Sequence, residues 1–257
     1  MRLFRLASFL PCCLLFSLSF SAQQPATRDP QAIAVLQQSL AAMGGAVPTS
    51  TVATGTVRLV EGSTIETGTI RILTRGVDQS AEEILTSGSQ RHGIYSRGKA
   101  NEARGAAVEA SSLELSVTSL SSSFPSPLIA AAINNPDAEF LYTAQEVLDG
   151  AVVHHIRFWN TFSSQPKLQF LAELSVRDIW IDAASGLPRK LSYDRSDGRG
   201  DVPRVPVVVS YSDYRNIGGV LYPFRIDKSL NGTPWMTIDI SQAAVNAGLT
   251  DSDFPVR

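Results

Sequence analysis

From Thr54 onward the chain is a succession of short segments in which apolar and polar residues alternate with period two. Thr54–Glu61 and Glu66–Thr74 flank Gly62-Ser63, and Ser80–Ser87 and Arg91–Ser96 flank Gly88. Ala138–Leu148 and Ala151–Asn160 meet at Asp149-Gly150, the strongest turn signal in the chain. Leu174–Asp182 and Pro188–Asp194 flank Ser185-Gly186. Val205–Tyr214, Tyr222–Leu230 and Pro234–Ile240 follow, separated by Gly218-Gly219 and Asn231-Gly232. Alternation gives each segment one apolar face, and connections this short join antiparallel neighbours. Parallel crossovers need a dozen or more residues each, which excludes a βαβ arrangement. The pattern predicts a single mainly β unit: about eleven strands in one antiparallel meander.

Two helical pieces are available to cover such a sheet. Asp29 is a good N-cap and Pro30 occupies the first helical position, where its missing N–H costs nothing. Ile33, Leu36, Leu40 and Met43 then recur at three- and four-residue spacing, and Gly44-Gly45 ends the helix. We read this stripe as the face of a lid, with Gly44, Gly45 and Pro48 as a flexible joint. Leu128–Ile133 forms a second, short helix after the serine- and alanine-rich stretch Val108–Pro127 and is stopped by Asn134-Asn135-Pro136. Arg195–Pro206, with its alternating charges, glycines and prolines, reads as a solvated loop.

Arg2 and Arg5 precede an apolar run from Leu6 to Phe20, followed by Ser21 and Ala22. That is the pattern of a cleaved secretory leader over residues 1–21, too short and too interrupted by Pro11 to span a bilayer. Residues 22–50 are then linker and lid helix, and 51–257 the sheet, one globular domain together with 29–50. The expected location is the periplasm or the external medium, with peripheral or no membrane contact. Cys12 and Cys13 both fall in the leader, and Pro11 before Cys12 does not suit a lipid-attachment signal. The remaining chain has no thiol, hence no disulfide, thiolate zinc site or cysteine nucleophile. Without Arg2 and Arg5 the formal charge moves from −2 to about −4, which argues against nucleic acid as a partner.

Signatures of catalysis are absent. There is no Gly-x-Ser-x-Gly elbow, His-Glu-x-x-His pair or phosphate-binding glycine loop. His154 and His155 are adjacent on one strand and point to opposite faces, as do Glu82 and Glu83. Asp149 and Asp182 sit beside turns, where a carboxylate accepts backbone N–H groups. Asp178 and Asp182 share a face with Trp180 and read as a solvated pair. The expectation is a protein with no catalytic residues, no metal and no cofactor. What the strands supply is a set of large apolar side chains in phase: Ile70 with Ile72, Phe140 with Tyr142, Ile156 with Phe158, and Ile179 with Ile181. Leu191 with Tyr193, Val207 and Val209 with Tyr211, Phe224 with Ile226, and Met236 with Ile238 continue it. They line either a filled core or a cavity wide enough for an acyl chain. Thr67, Thr69 and Arg71, and Arg225, Asp227 and Ser229, belong to the opposite, solvent-facing side.

The C-terminal half carries a resemblance. Trp180-Ile181-Asp182, Ser185-Gly186-Leu187-Pro188, Tyr211-Ser212-Asp213-Tyr214 and Gly218-Gly219-Val220-Leu221-Tyr222-Pro223 run in order. Met236-Thr237-Ile238, Val245-Asn246 and Leu249-Thr250-Asp251-Ser252-Asp253-Phe254 complete the series. Earlier, Thr54-Gly55-Thr56-Val57, Gly76-Val77-Asp78-Gln79 and Val147-Leu148-Asp149-Gly150 fit the same pattern. Over residues 30–257 the chain resembles the outer-membrane lipoprotein-sorting proteins, with their LolA-like and RseB-like lipid-binding half-barrels. The resemblance implies an unclosed antiparallel half-barrel with helices across its concave face and a lipid or acyl chain held between. On that footing the ligand-binding positions are Ile70, Ile72, Tyr142, Phe158, Ile181, Tyr193, Tyr211, Phe224, Ile226 and Ile238. The implied partner is a lipid or an acylated protein, with an envelope protein as a further one. Arg58 and Arg71 receive no role. The alternatives are an interaction module with a filled core and no ligand, and a secreted hydrolase.

Overall fold

The computed structural model describes residues 28–105, 107–110, 122–196 and 204–256. The leader over 1–21, the serine-rich 111–121 and most of the loop after Arg195 lie outside the described residues.

The strands are β1 Ser50–Glu61, β2 Thr64–Arg75, β3 Gln79–Thr86, β4 Gln90–Ser96, β5 Lys99–Arg104, β6 Ala107–Ala110 and β7 Ala138–Leu148. They continue with β8 Ala151–Asn160, β9 Arg177–Asp182, β10 Pro188–Arg195, β11 Val205–Ile217, β12 Val220–Leu230 and β13 Thr233–Val245. All thirteen form one antiparallel sheet in the order β6-β5-β4-β3-β2-β1-β13-β12-β11-β10-β9-β8-β7. Two meanders are therefore sewn together by the pairing of β1 with β13. The sheet is open, since β6 and β7 stand at its opposite edges.

The eleven segments read from the sequence are all strands, and β5 and β6 are additional. Their sequences, KANEAR and AVEA, carry little strand propensity, and extension of the β4 edge imposes the conformation. The turn at Asp149-Gly150 has φ of 49° and 78°, and Asn231-Gly232 repeats it with 47° and 75°. Both central residues are left-handed, as a two-residue hairpin turn matched to strand twist requires. The segment read as a strand from Leu174 starts instead at Arg177. Before it, residues 161–176 make an excursion with two 3-10 turns, Pro166–Leu171 and Glu173–Ser175, around a small core of Phe162, Leu171 and Leu174.

β6 and β7 lie at opposite edges of the sheet, and residues 122–137 lead into β7. They carry the helix α2, Pro125–Asn134, which packs Leu128 and Ile129 into the core of the concave side. The other helix, α1 (Pro30–Ala42), packs on α2 and on β7. Asp29 Oδ1 accepts from Gln31 N at 2.8 Å and Ala32 N at 3.4 Å, while Oδ2 accepts from Tyr142 N at 2.9 Å. One carboxylate thus caps the helix and fastens it to the edge strand. The residues α1 buries are Ala32, Val35, Leu36 and Ser39, with Met43 just beyond it. Of the four stripe positions Leu36 and Met43 are buried, and Ile33 and Leu40 are half-buried against the same core. Small Ala32 and Ser39 let the helix approach closely, which rotates the buried face by part of a turn. The joint after α1 is held as well: Leu221 N donates to Met43 O at 2.9 Å, and a Cβ at Gly44 would fall 2.2 Å from Gly219 O.

The C-terminal segment covers part of the convex face. Phe254 packs with Leu73, Ala81 and Ile94, and Asp251 accepts from Arg75 at 2.5 Å and Arg97 at 2.9 Å.

Candidate ligand cleft on the concave face

The concave face is the one built from the in-phase apolar residues. Ile70, Ile72, Phe158, Ile181, Tyr211, Phe224, Ile226 and Ile238 are buried in one continuous core, and Tyr142 and Tyr193 are half-buried against it. Ten positions named from the sequence are therefore brought together. The segment entering α2 packs onto this face. Phe124 stacks on Tyr222 with ring centroids 4.7 Å apart, and the Tyr211 hydroxyl donates to Ser122 O at 2.6 Å.

An open cleft of about 280 Å³ remains beside α2. Its walls are Leu128, Ala131 and Ala132 of α2, Ala138 of β7, and Phe158–Asn160 at the end of β8. Asn135 just after α2, Val77 and Tyr95 from the opposite half of the sheet, Phe162, Ser175 and Arg177 complete it. The alanines leave the space, since α2 presents no large side chain there except Leu128. Phe162 closes one end in the left-handed region, with φ 52°. Its backbone N–H donates to Asn160 Oδ1 at 2.8 Å, and Asp137 accepts from Ser163 Oγ and Ser164 N to hold the same loop. Those hydrogen bonds keep the Asp137 carboxyl below the usual carboxylate range.

Arg177 is the cation of the cleft, only 4% exposed. It donates to Ser175 O at 2.8 Å and lies over the Tyr193 ring at 5.4 Å. Burial pushes its guanidinium below the ordinary value, opposed by Tyr193 and Tyr95. A second hollow of about 130 Å³ shares Tyr95 and adds Tyr193, Glu82 and Lys228. There Lys228 Nζ lies 2.8 Å from Glu82 Oε1, and Ser123 Oγ donates to the same oxygen at 2.8 Å. Burial raises the Glu82 carboxyl, but the Lys228 ammonium, Ser123 and Arg195 outweigh it and hold the carboxyl low. Arg195 of β10 pairs with Glu102 of β5 across the same concavity.

Phe158 is the one named position that lines the cleft, and Tyr193 lines the second hollow. Of their polar residues, the sequence singles out Glu82 only as facing away from Glu83, and Arg177 and Lys228 receive no role. A signal for them exists: Arg177 is in phase with Ile179 and Ile181, Glu82 with Ile84, and Lys228 with Phe224 and Ile226. A charged side chain in phase with a buried apolar row marks a polar feature of the interior.

The convex face also departs from expectation. His154 and His155 do point to opposite faces, His154 Nδ1 meeting the Tyr142 hydroxyl at 2.8 Å. His155, however, bridges two carboxylates, Nδ1 to Glu146 at 2.6 Å and Nε2 to Asp178 at 2.7 Å. Asp178 is thus paired rather than solvated, and also accepts from Arg157 at 3.0 Å. A bulge at Tyr142/Ala144 reverses the phase of β7 and brings Glu146 onto the face of His155. The His155 ring stacks on Trp180 at 4.3 Å, and Lys190 Nζ sits 3.5 Å from the Trp180 ring centre. Among the described residues no group of three His, Cys, Asp or Glu side chains is placed to hold a metal ion, and no helix is long and apolar enough to cross a membrane.

No protein-family model matches the sequence, and no curated protein does. Solved structures do. An outer-membrane lipoprotein-sorting protein domain from Vibrio parahaemolyticus superposes with TM-score 0.58 at 13% identity, over 87% of this chain and 96% of that one. A LolA superfamily protein from Nitrosomonas europaea gives 0.56 at 16% identity, over 88% and 97%. A DUF1329 family protein from Desulfovibrio piger gives 0.53 at 14%, over 87% and 97%. At such identities the likeness is one of fold. The chain has the LolA-like fold of these structures, an open antiparallel half-barrel with helices across its concave face.

Proposed function

We propose that the protein is an exported, non-catalytic carrier or sensor that binds a lipid or a lipoprotein acyl chain in the cleft beside α2. The observation that carries this reading is the cleft itself: about 280 Å³ of open volume, walled mainly by Leu128, Ala131, Ala132, Phe158 and Phe162. Apolar walls with a few convergent polar groups are the usual make-up of a small-molecule site. Export rests on the charged, apolar and small-residue order of residues 1–22. The fold supports the reading at the level of architecture alone.

The test is native mass spectrometry of protein purified from its own envelope, with displacement of a fluorescent acyl probe in solution. A co-purified acyl ligand, and loss of probe binding in Ala132→Phe, support the carrier. A second reading, an envelope module without a ligand, is favoured by the burial of Ser122, Ser123 and Phe124 against the concave face. Empty protein and no probe binding select that reading.

A further inference from the structure

The polar groups around the cleft are committed in one direction. Asn135 Oδ1 accepts from Asp137 N at 3.0 Å, and Asn160 Oδ1 accepts from Phe162 N at 2.8 Å. A backbone N–H can only donate, so the amide oxygens must face these partners and the orientation of both side chains is settled by chemistry. Their NH₂ groups are left as the outward-facing ends. Ser175 Oγ is taken up by Asn160 N, Ala172 O and Asn160 O. Arg177 brings a guanidinium, which only donates. Among the described residues no carboxylate lines the cleft, and that of Asp137, just behind Ala138, is occupied by Ser163 and Ser164. Ala138 pairs with Asn160 and Phe158 with Arg177, so the donors lie on neighbouring rungs of β8 with the Phe158 ring beside them. The other walls are Leu128, Ala131, Ala132 and Phe158.

We propose that the cleft selects a straight-chain amphiphile with an anionic oxygen headgroup, the chain against Ala132 and Phe158 and the headgroup among Arg177, Asn135 and Asn160. This rests on the apolar-ligand reading above and adds the chemical class. An acceptor-only, negatively charged headgroup complements a wall of donors with one cation. An ammonium headgroup would face like charge. A hydroxyl would forgo the charge-assisted contacts.

The test compares dodecanoate, dodecyl phosphate, dodecanol and dodecylammonium, below their micelle concentrations, by displacement of a neutral fluorescent acyl probe. The two anions should bind about tenfold or more tighter than dodecanol, as expected for hydrogen bonds to a charged group. Dodecylammonium should bind weakest. Whichever anion is tighter assigns the source, a fatty acid for the carboxylate and a phospholipid for the phosphate. Arg177→Gln should bring anions and alcohol to within about threefold of each other, and Arg177→Lys should retain the ranking. Should Arg177→Gln fail to fold, the wild-type ranking decides alone. Equal binding of all four compounds, or preference for the ammonium, overturns the headgroup assignment and leaves the apolar site standing. Displacement by none of them removes the apolar site, and this inference with it.

Discussion

Lys228 Nζ and Glu82 Oε1 meet at 2.8 Å across the concave face, from strands β12 and β3 with β13, β1 and β2 between them. Such a bridge ties two distant parts of one curved sheet, with Ser123 and Arg195 as its polar neighbours. Removing one partner strands the other in a poorly solvated place. Lys228→Met should therefore destabilise the protein by about 3 kcal/mol in urea unfolding, and adding Glu82→Leu should recover part of the loss.

The same carboxylate has a pH signature. Its folded-state value lies below its ordinary 4.5, so its contribution is full above about that pH and is lost as the pH falls through the lowered value. Glu82→Gln should flatten the acid limb of a stability–pH curve measured between pH 6 and pH 3. An unchanged limb would show that the pair contributes nothing to acid stability.

Asp29 joins α1 to β7 through its two oxygens, one for each element. Asp29→Ala should cost about 1–2 kcal/mol, the upper part of the range for an N-cap because the Tyr142 N–H loses its acceptor too. Hydrogen exchange of the Tyr142 amide should quicken in the variant.

His155 separates Glu146 from Asp178 and covers the Trp180 ring. His155→Ala should destabilise by about 2 kcal/mol, because Glu146 and Asp178 each lose a ring nitrogen at hydrogen-bonding distance. His154→Ala, which loses a single bond to Tyr142, should cost less. Thermal melts of the two variants side by side check the order.

Leu36 is fully buried under α1 whereas Ile33 is half-buried. Leu36→Asp places an unpaired charge in the core and should cost upwards of about 3 kcal/mol, or expose the concavity to a hydrophobic dye. Ile33→Asp should melt closer to the parent. Equal melting of both would mean that α1 does not cover an apolar face.

Much of this fold is legible in the sequence because its information is local. Period-two alternation follows from strand geometry, and Asp149-Gly150 or Asn231-Gly232 takes up left-handed φ whatever lies elsewhere. The capping of α1 by Asp29 is equally local. From such signals come the eleven segments, their antiparallel connection and the set of side chains on the apolar face.

Long-range closure decided the rest. That β1 pairs with β13, and that β6 and β7 become opposite edges, depends on segments far apart in the chain. α2 then packs on the concave side and leaves the cleft beside Ala132. Bulges at Thr54/Gly55 and Tyr142/Ala144 insert a residue and reverse the phase, so no count along the chain foretells that Glu146 reaches His155. Arg177, Glu82 and Lys228 are visible in the sequence as charges in an apolar row. What each one meets is set by the curvature of the whole sheet, which brings β3 to β12 and Tyr95 to Arg177. Alternation determines which side of a strand a residue occupies; only the closed tertiary structure determines what stands opposite, because that distance is crossed through space and not along the chain.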